Sequence, residues 1–120
     1  MGVALNSRGD LFVGDSHNKR VSVFDNTGDY LCHFDFGCNF HLYSVIELAI
    51  DSFDRIVVSD AISNQISMFN SGFELIGQYG SQGSESGQFN SPKGMWFDRS
   101  SNLVVCDYSN HRLQVISATH

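Results

Sequence analysis

The chain has few of the residues that mark membrane, disulfide-rich or disordered proteins. It contains one proline and three cysteines among 120 residues, and only 17% of its residues are charged. No apolar run reaches about 18 residues, the length that a membrane-spanning helix needs, and no CxxC spacing occurs. A basic start followed by an apolar segment, the mark of a secretory signal, is also missing. These absences predict a cytoplasmic protein with free thiols and no membrane partner.

Positive charge is scarce as well. Seven lysines and arginines stand against thirteen aspartates and glutamates, which gives a formal net charge of −6. A protein that binds nucleic acid mainly through its phosphates usually shows a basic face, because counterion release supplies most of that affinity. The charge balance therefore argues against a DNA ligand, although a local basic patch remains compatible with it.

What the chain does have is a repeat. Ten phenylalanines and 42% hydrophobic residues give it the composition of a globular protein. Three aspartates, Asp15, Asp60 and Asp107, mark equivalent points of the repeat and are separated by 45 and 47 residues. A period of this length also suits helical repeats, so the pattern of residue types within each copy has to decide the fold.

Each copy divides into four short segments, a to d, separated by turn residues. Segment a is a brief apolar run, which predicts a strand buried on both faces, and Trp96 within it is predicted to fill the core near a central axis. Segment c alternates apolar, polar, apolar, which predicts a strand with one covered face. We therefore predict an all-β chain of four-stranded antiparallel units arranged as blades of a β-propeller. The segments are a at 3–5, 48–50 and 95–97; b at 11–13, 56–59 and 103–106; c at 21–23, 66–68 and 113–115; and d at 30–34 and 74–79.

Two stretches resemble a known repeat family. The run GSQGSESGQFNSPKG at 80–94 resembles the connector between blades of NHL repeats, and DYSNHRLQV at 107–115 resembles their junction between strands b and c. The resemblance covers residues 2–116 and is greatest to the C-terminal NHL domains of TRIM-NHL proteins, in which a RING finger, B-boxes and a coiled coil precede the propeller. It implies one NHL-repeat domain over residues 1–120, with repeat 1 at about 2–45, repeat 2 at about 46–92 and an incomplete repeat 3 at about 93–117.

The chain also departs from the family pattern. Propellers of this family close with about six blades, so the two and a half repeats found here are not enough to close, and the remaining blades are expected from a parent chain. The segment 37–45 between the first two repeats is shorter than 80–94 and lacks its Gly-Gln-Phe and Pro landmarks. In repeat 2, Asn64 and Gln65 stand where the other repeats have Lys19-Arg20 and His111-Arg112.

The candidate ligand surface is the rim formed by the b–c and d–a connections. The marker aspartates Asp15, Asp60 and Asp107 are expected to be structural, because a carboxylate at a turn can cap backbone N–H groups and hold an arginine. The other polar groups of this rim mix basic, amide and aromatic side chains, a combination typical of surfaces that grip a backbone and stack bases. The predicted ligand-binding residues are His17, Lys19, Arg20, Lys93, Tyr108, Asn110, His111 and Arg112.

Three functions are compatible with this surface. The resemblance implies a non-catalytic recognition module, and the first hypothesis is that it binds RNA for post-transcriptional regulation. The alternative is a protein-binding module that recruits substrates to a RING-type ubiquitin ligase, whose RING lies outside this chain. The least favoured is an enzyme of the lyase or lactonase type, because the predicted inner strands present apolar residues and no catalytic motif is present. No cofactor, no metal site and no catalytic residue is expected.

Overall fold

The structure, a computed structural model, describes residues 2–15, 20–35, 47–60 and 64–117. These residues form three antiparallel sheets and one short 3-10 turn, Tyr108–Asn110. The predicted all-β fold with four-stranded blades is confirmed. The strands are β1 Val3–Leu5, β2 Leu11–Asp15, β3 Arg20–Phe24 and β4 Tyr30–Asp35 in blade 1; β5 Glu47–Ile50, β6 Ile56–Asp60, β7 Gln65–Phe69 and β8 Leu75–Tyr79 in blade 2; and β9 Pro92–Phe97, β10 Leu103–Asp107 and β11 Arg112–Ile116 in blade 3.

One turn chemistry recurs through the three blades and explains why the strands reverse where they do. An Asn or Asp side-chain oxygen accepts hydrogen bonds from the backbone N–H groups two and four residues later, which closes a tight turn. In the β3–β4 turn, for example, Asp25 Oδ1 accepts from Thr27 N and Asp29 N, both at 2.9 Å. The residues that play this part are Asn6, Asp25, Asp51, Asn70 and Asp98.

The core consists of two apolar layers, one between each pair of neighbouring blades. The first layer joins blades 1 and 2 and includes Phe12, Val21 and Phe69, with Phe34 and Phe73 stacked at 4.7 Å beside it. The second layer joins blades 2 and 3 and comprises the buried residues Ala49, Val57, Ile66, Met68, Phe89, Met95, Leu103 and Val105. Blade 2 is therefore covered on both faces, while blades 1 and 3 each leave one face uncovered within the described residues.

The covering of blade 2 corrects the prediction for segment c. Ser67 was expected on an open face, yet it is fully buried, because β7 presents Ile66 and Met68 to blade 3 and Ser67 to blade 1. In β11 the apolar positions, which were expected to be covered, are exposed: Leu113 is 58% exposed and Val115 is 63% exposed. Alternation along segment c distinguishes the two faces of a blade but does not say which face is covered.

Segment a also differs from its prediction in the outer blades. Leu48 and Ala49 of β5 are buried, as expected, but Val3 and Leu5 of β1 are more than half exposed. Trp96 of β9 was predicted to fill the core and is 49% exposed. Its neighbour Met95 points towards blade 2, so Trp96 is left on the uncovered side of blade 3. That prediction was wrong, because a strand at the end of a stack has only one packed face.

Candidate functional site

The best-defined polar surface lies at one end of blade 3. We call it the connector rim and define it by residues 80–91, which connect β8 to β9, together with residues 107–114, which run from the end of β10 through the 3-10 turn into β11. His111 ends the 3-10 turn in the left-handed conformation, with φ of 54°, and its N–H donates to Tyr108 O. This turn aims the side chains at both of its ends out of the blade.

Asp107 is the centre of the connector rim and is completely buried. Burial alone would raise the pKa of its carboxyl, but the N–H of Asn90 and the side chains of Asn110, Arg112 and Gln114 donate to it and lower the pKa below its ordinary value. The Asn90 N–H lies 2.8 Å away, and the Asn110 and Arg112 donors both lie at 2.9 Å. Asp107 is therefore an ionised anchor of the fold.

The N–H groups of Arg112 donate hydrogen bonds to other residues of the same chain. Besides the Nε bond to Asp107, its terminal nitrogens donate to the carbonyl oxygens of Ser84 at 2.7 Å, Glu85 at 2.8 Å and Gln88 at 2.9 Å. Arg112 and Asp107 pair at this junction through the single Nε bond, while the terminal nitrogens of Arg112 bind the connector. A guanidinium whose N–H groups are bonded in this way holds the connector in place and has little capacity left for a phosphate.

The other predicted ligand residues of blade 3 differ in how available they are. Asn110 is half-buried, and its amide donates to Gly83 O at 2.9 Å, so it too belongs to the framework of the rim. Tyr108 is 58% exposed and His111 is exposed. Lys93 falls within β9, but its side chain lies outside the described part of the structure.

The equivalent rim of blade 1 is only partly described. His17 and Lys19 lie outside the described residues, and so does the side chain of the blade 2 marker Asp60. Arg20 faces Asp15 across β2 and β3, with 3.7 Å between Arg20 Nε and Asp15 Oδ2. Among the predicted ligand residues that the structure describes, Arg20 lies on blade 1 and the residues of the 108–112 segment lie on blade 3, with blade 2 between them.

A shallow, open depression of about 470 Å³ lies beside the turn of the connector rim. Its wall combines a ring, an imidazole and apolar surface, which suits a side chain of a bound ligand better than it suits a row of phosphates. Within the described ranges, no group of three or more His, Cys, Asp or Glu residues is placed to hold a metal ion. The residues that line the depression are Cys106, Tyr108, His111, Arg112 and Leu113.

Sequence reasoning missed Gln114 as a part of the rim. Its amide donates to Gln88 O at 2.6 Å and accepts from the N–H of Gly87 at 3.1 Å, so it holds the connector next to Arg112. One signal was available: the polar position of segment c is Ser22 or Ser67 in the other repeats and Gln only in repeat 3. A longer side chain with a terminal amide at that position indicates a hydrogen-bond partner that serine could not reach.

Comparison with solved structures defines the class of protein. A streptogramin B lyase structure superposes with a TM-score of 0.78 at 16% identity, over 98% of this chain and 37% of that one. A virginiamycin B lyase from Staphylococcus aureus gives 0.77 at 14% identity, again over 98% and 37%. At these identities the likeness concerns the fold alone. The chain is a partial β-propeller.

The repeat type follows from the sequence comparisons. The family model described as NHL repeat matches residues 2–24. Protein brain tumor of Drosophila melanogaster is 28% identical over 112 residues, which are 88% of this chain. Residues 2–24 thus match an NHL repeat, and the predicted resemblance to the propellers of TRIM-NHL proteins is confirmed.

The chain spans only a part of the proteins that it matches. It corresponds to 10% of the length of the Drosophila protein and to 37% of the two lyase chains. In the part of the chain that the structure describes, no helix has the length and apolar character needed to cross a membrane.

Proposed function

We propose that this chain is a non-catalytic recognition module that binds an extended segment of a partner protein at the connector rim. The observation that carries the proposal is the contrast between Tyr108 and Arg112. Tyr108 is 58% exposed beside a shallow depression of about 470 Å³, whereas Arg112, which also lines that depression, is bonded to its own connector. Exposed tyrosines next to an apolar recess are typical anchors of protein interfaces.

The charge of the chain supports a protein ligand over a polyanion. The net charge is −6, and the one arginine described on the connector rim is already paired with Asp107. Phosphate-driven binding needs cations that can release counterions. In a parent protein of the TRIM-NHL type, we infer that such a module recruits substrates to a RING-type ubiquitin ligase in the cytoplasm.

The non-catalytic part of the proposal rests on the inner strands. β1, β5 and β9 carry the apolar triplets Val-Ala-Leu, Leu-Ala-Ile and Met-Trp-Phe at positions where a catalytic propeller would need polar ligands. The likeness to lyases, at 14–16% identity, supports a shared fold and not a shared reaction.

RNA is the second candidate, and one observation favours it. Tyr108 and His111 are both exposed at the ends of one turn, and aromatic and imidazole rings are groups on which unpaired bases stack. If the ligand is RNA, the module would act in post-transcriptional regulation, and its affinity would depend strongly on the salt concentration.

Selection from a random peptide library displayed on phage tests the first proposal. Peptides selected on the whole chain are expected to lose at least about tenfold in affinity with Tyr108→Ala, which corresponds to about 1.4 kcal/mol. Phe53→Ala is the matched control, because Phe53 is an exposed aromatic of the opposite rim. Peptides that bind the Tyr108→Ala and wild-type chains equally would overturn the proposal.

A random-sequence RNA pool, measured by filter binding at low and high salt, decides between the two candidates. Binding that weakens steeply with salt and with Tyr108→Ala, while no peptide is selected, would replace the protein ligand by RNA. We expect no such binding.

A further inference from the structure

A cleft opens between blades 1 and 2 at the rim opposite the connector rim, where the a–b and c–d turns lie. It encloses a volume of about 450 Å³. We call it the interblade cleft and define it by its apolar floor, Phe12 and Val23 of blade 1 with Ile56 and Phe73 of blade 2, and by the polar residues at its edge. A recess of this size, apolar inside and polar at its edge, has the character of a ligand site.

The equivalent cleft between blades 2 and 3 is almost filled. Met68 lines it in the position that Val23 has in the interblade cleft, and the volume left within the described residues is about 10 Å³. Arg55 forms part of its wall. The side chain of Arg55 is only 22% exposed, and its Nε lies 2.6 Å from the buried carboxylate of Asp51. That cleft therefore contains a guanidinium that the chain itself supplies.

The interblade cleft has a carboxylate at the position of this guanidinium. The a–b turns of blades 1 and 2 read NSRGD and DSFDR, which puts Asp10 in the place of Arg55. Asp10 is buried, and Asn6 Nδ2 and Arg8 Nε donate to it at 3.1 Å and 3.3 Å. The Arg8 side chain is 79% exposed, so it lies at the mouth of the cleft and does not fill it.

A second carboxylate, that of Asp54, lines the interblade cleft from blade 2. The hydroxyl and the N–H of Ser7 donate to its two oxygens at 2.6 Å and 2.8 Å, and these bonds lower the pKa of Asp54 below its ordinary value. Each oxygen of a carboxylate can accept more than one hydrogen bond. The equivalent residue between blades 2 and 3 is the neutral Ser101. The interblade cleft is thus negative where its counterpart holds a cation.

The two c–d turns beside the interblade cleft add negative charge only. They read DNTGD in blade 1 and NSGFE in blade 2, so Asp25, Asp29 and Glu74 have no cation within either turn. Ser71 and Phe73 of the second turn line the cleft itself. Charges of one sign around a recess attract ligands of the opposite sign and repel polyanions. The surroundings therefore favour a cationic ligand.

We propose that the interblade cleft binds an arginine side chain of a partner protein. The aliphatic stem of this arginine packs on the apolar floor, and its guanidinium bonds to the carboxylates of Asp10 and Asp54. Arginine meets both requirements, because it combines an apolar stem with a planar fork of N–H donors. The partner's arginine takes the part that Arg55 plays between blades 2 and 3. This docking site lies on the rim opposite the connector rim, so it does not depend on the function proposed above.

Titration of the whole chain with two short peptides tests the proposal. The first peptide is acetyl-Leu-Arg-Leu-amide, and the second has citrulline in place of arginine, which keeps the length of the side chain but ends in a neutral urea. Amide chemical shifts, followed by NMR, give the affinity and the place of binding. We expect the arginine peptide to bind at least about tenfold more tightly and to shift the amides of Cys32, Asp54 and Phe73. Equal affinities, or no binding of either peptide, would overturn the proposal.

Two variants remove the site in different ways. Asp54→Asn removes one negative charge and is expected to weaken binding of the arginine peptide at least about fivefold. Glu85→Gln removes an exposed carboxylate of the connector rim and is the matched control, with unchanged affinity expected. The double variant Asn6→Asp/Asp10→Arg rebuilds in blade 1 the acid–arginine pair of blade 2. Its own guanidinium should fill the cleft and abolish binding, and undiminished binding to either variant would contradict the proposal.

Tyr108→Ala distinguishes this site from the connector rim. The arginine peptide is expected to bind this variant and the wild-type chain equally. Weaker binding to Tyr108→Ala would assign the peptide to the connector rim and refute the interblade site. If the variants of the cleft do not fold, the comparison of the arginine and citrulline peptides on the wild-type chain still decides.

Discussion

Arg112 and Asp107 lie directly across from each other on β11 and β10, with 2.9 Å between Nε and the carboxylate oxygen. The carboxylate is fully buried, while the arginine side chain remains 31% exposed. The pair joins the end of a hairpin to the connector that leads into the same blade, because Arg112 also binds the carbonyls of Ser84, Glu85 and Gln88. Its role in this chain is first of all architectural.

Arg112→Gln is expected to destabilise the chain by about 1–2 kcal/mol. The substitution removes bonds to three carbonyls and leaves the buried Asp107 with fewer donors. Urea unfolding followed by tryptophan fluorescence measures the loss. Arg8→Gln, at an exposed pair on the opposite rim, is expected to change stability by less than about 0.5 kcal/mol. Equal effects of the two substitutions would show that Arg112 does not hold the connector.

Lowering the pH is expected to reduce the folding stability of the chain, partly because Asp107 becomes protonated. Its hydrogen bonds hold the pKa below the ordinary value of 3.8, so the ionised carboxylate stabilises the fold above that pH. This contribution is lost as the pH falls through the lowered pKa. We expect Asp107→Asn to be about 2 kcal/mol less stable at pH 7. Its thermal midpoint, recorded from pH 6 to pH 2, should also fall less steeply than that of the wild type. A parallel fall would contradict the assignment.

Phe89→Ala is expected to cost about 3–4 kcal/mol, because the ring is 1% exposed and fills the layer between blades 2 and 3. Phe53→Ala provides the comparison at the surface. Phe53 is 69% exposed and lies 5.3 Å from the Arg55 guanidinium, so we expect a loss of about 0.5 kcal/mol. Denaturant midpoints of the two variants should therefore differ clearly; overlapping midpoints would mean that the connector is not anchored by its phenylalanine.

Gly80→Ala is expected to be more harmful than Gly28→Ala, although both glycines have positive φ, 97° and 91°. The added methyl at position 28 meets nothing within 4 Å, so only the strained backbone counts, at about 1 kcal/mol. At position 80 it would lie 2.5 Å from the Phe89 ring and 2.9 Å from Asn64 O. Calorimetry should show the larger drop in melting temperature for Gly80→Ala, and a similar drop in both would argue against this packing.

The repeat in the sequence was enough to predict the strands. Turn residues separate the segments, and the Asp-to-Arg spacing brings Asp107 and Arg112 opposite each other on neighbouring strands. These features depend on contacts within one blade, which short-range patterns describe well. The four-segment unit therefore appeared in the structure with boundaries close to those predicted.

Contacts between blades were not predictable in the same way. Ser67 and Trp96 were both misjudged, because the pattern of one strand does not show whether another blade lies on its far side. The contacts of Arg112 to the connector could not be predicted for the same reason. Its partners are carbonyl oxygens some 24–28 residues earlier in the chain, and every residue type carries a carbonyl. No residue pattern could have indicated them.

The covered position of blade 2 has a consequence for the order in which the chain opens. Repeats that touch only their neighbours have stabilities that add along the stack, so a blade with two interfaces opens last. Backbone amides of β6 and β7, among Val57, Val58 and Ile66, should exchange with solvent deuterium most slowly. Protection should decrease towards β1 on one side and β11 on the other. Each further blade packed against either end would give the terminal blade a second interface and so protect it from local unfolding.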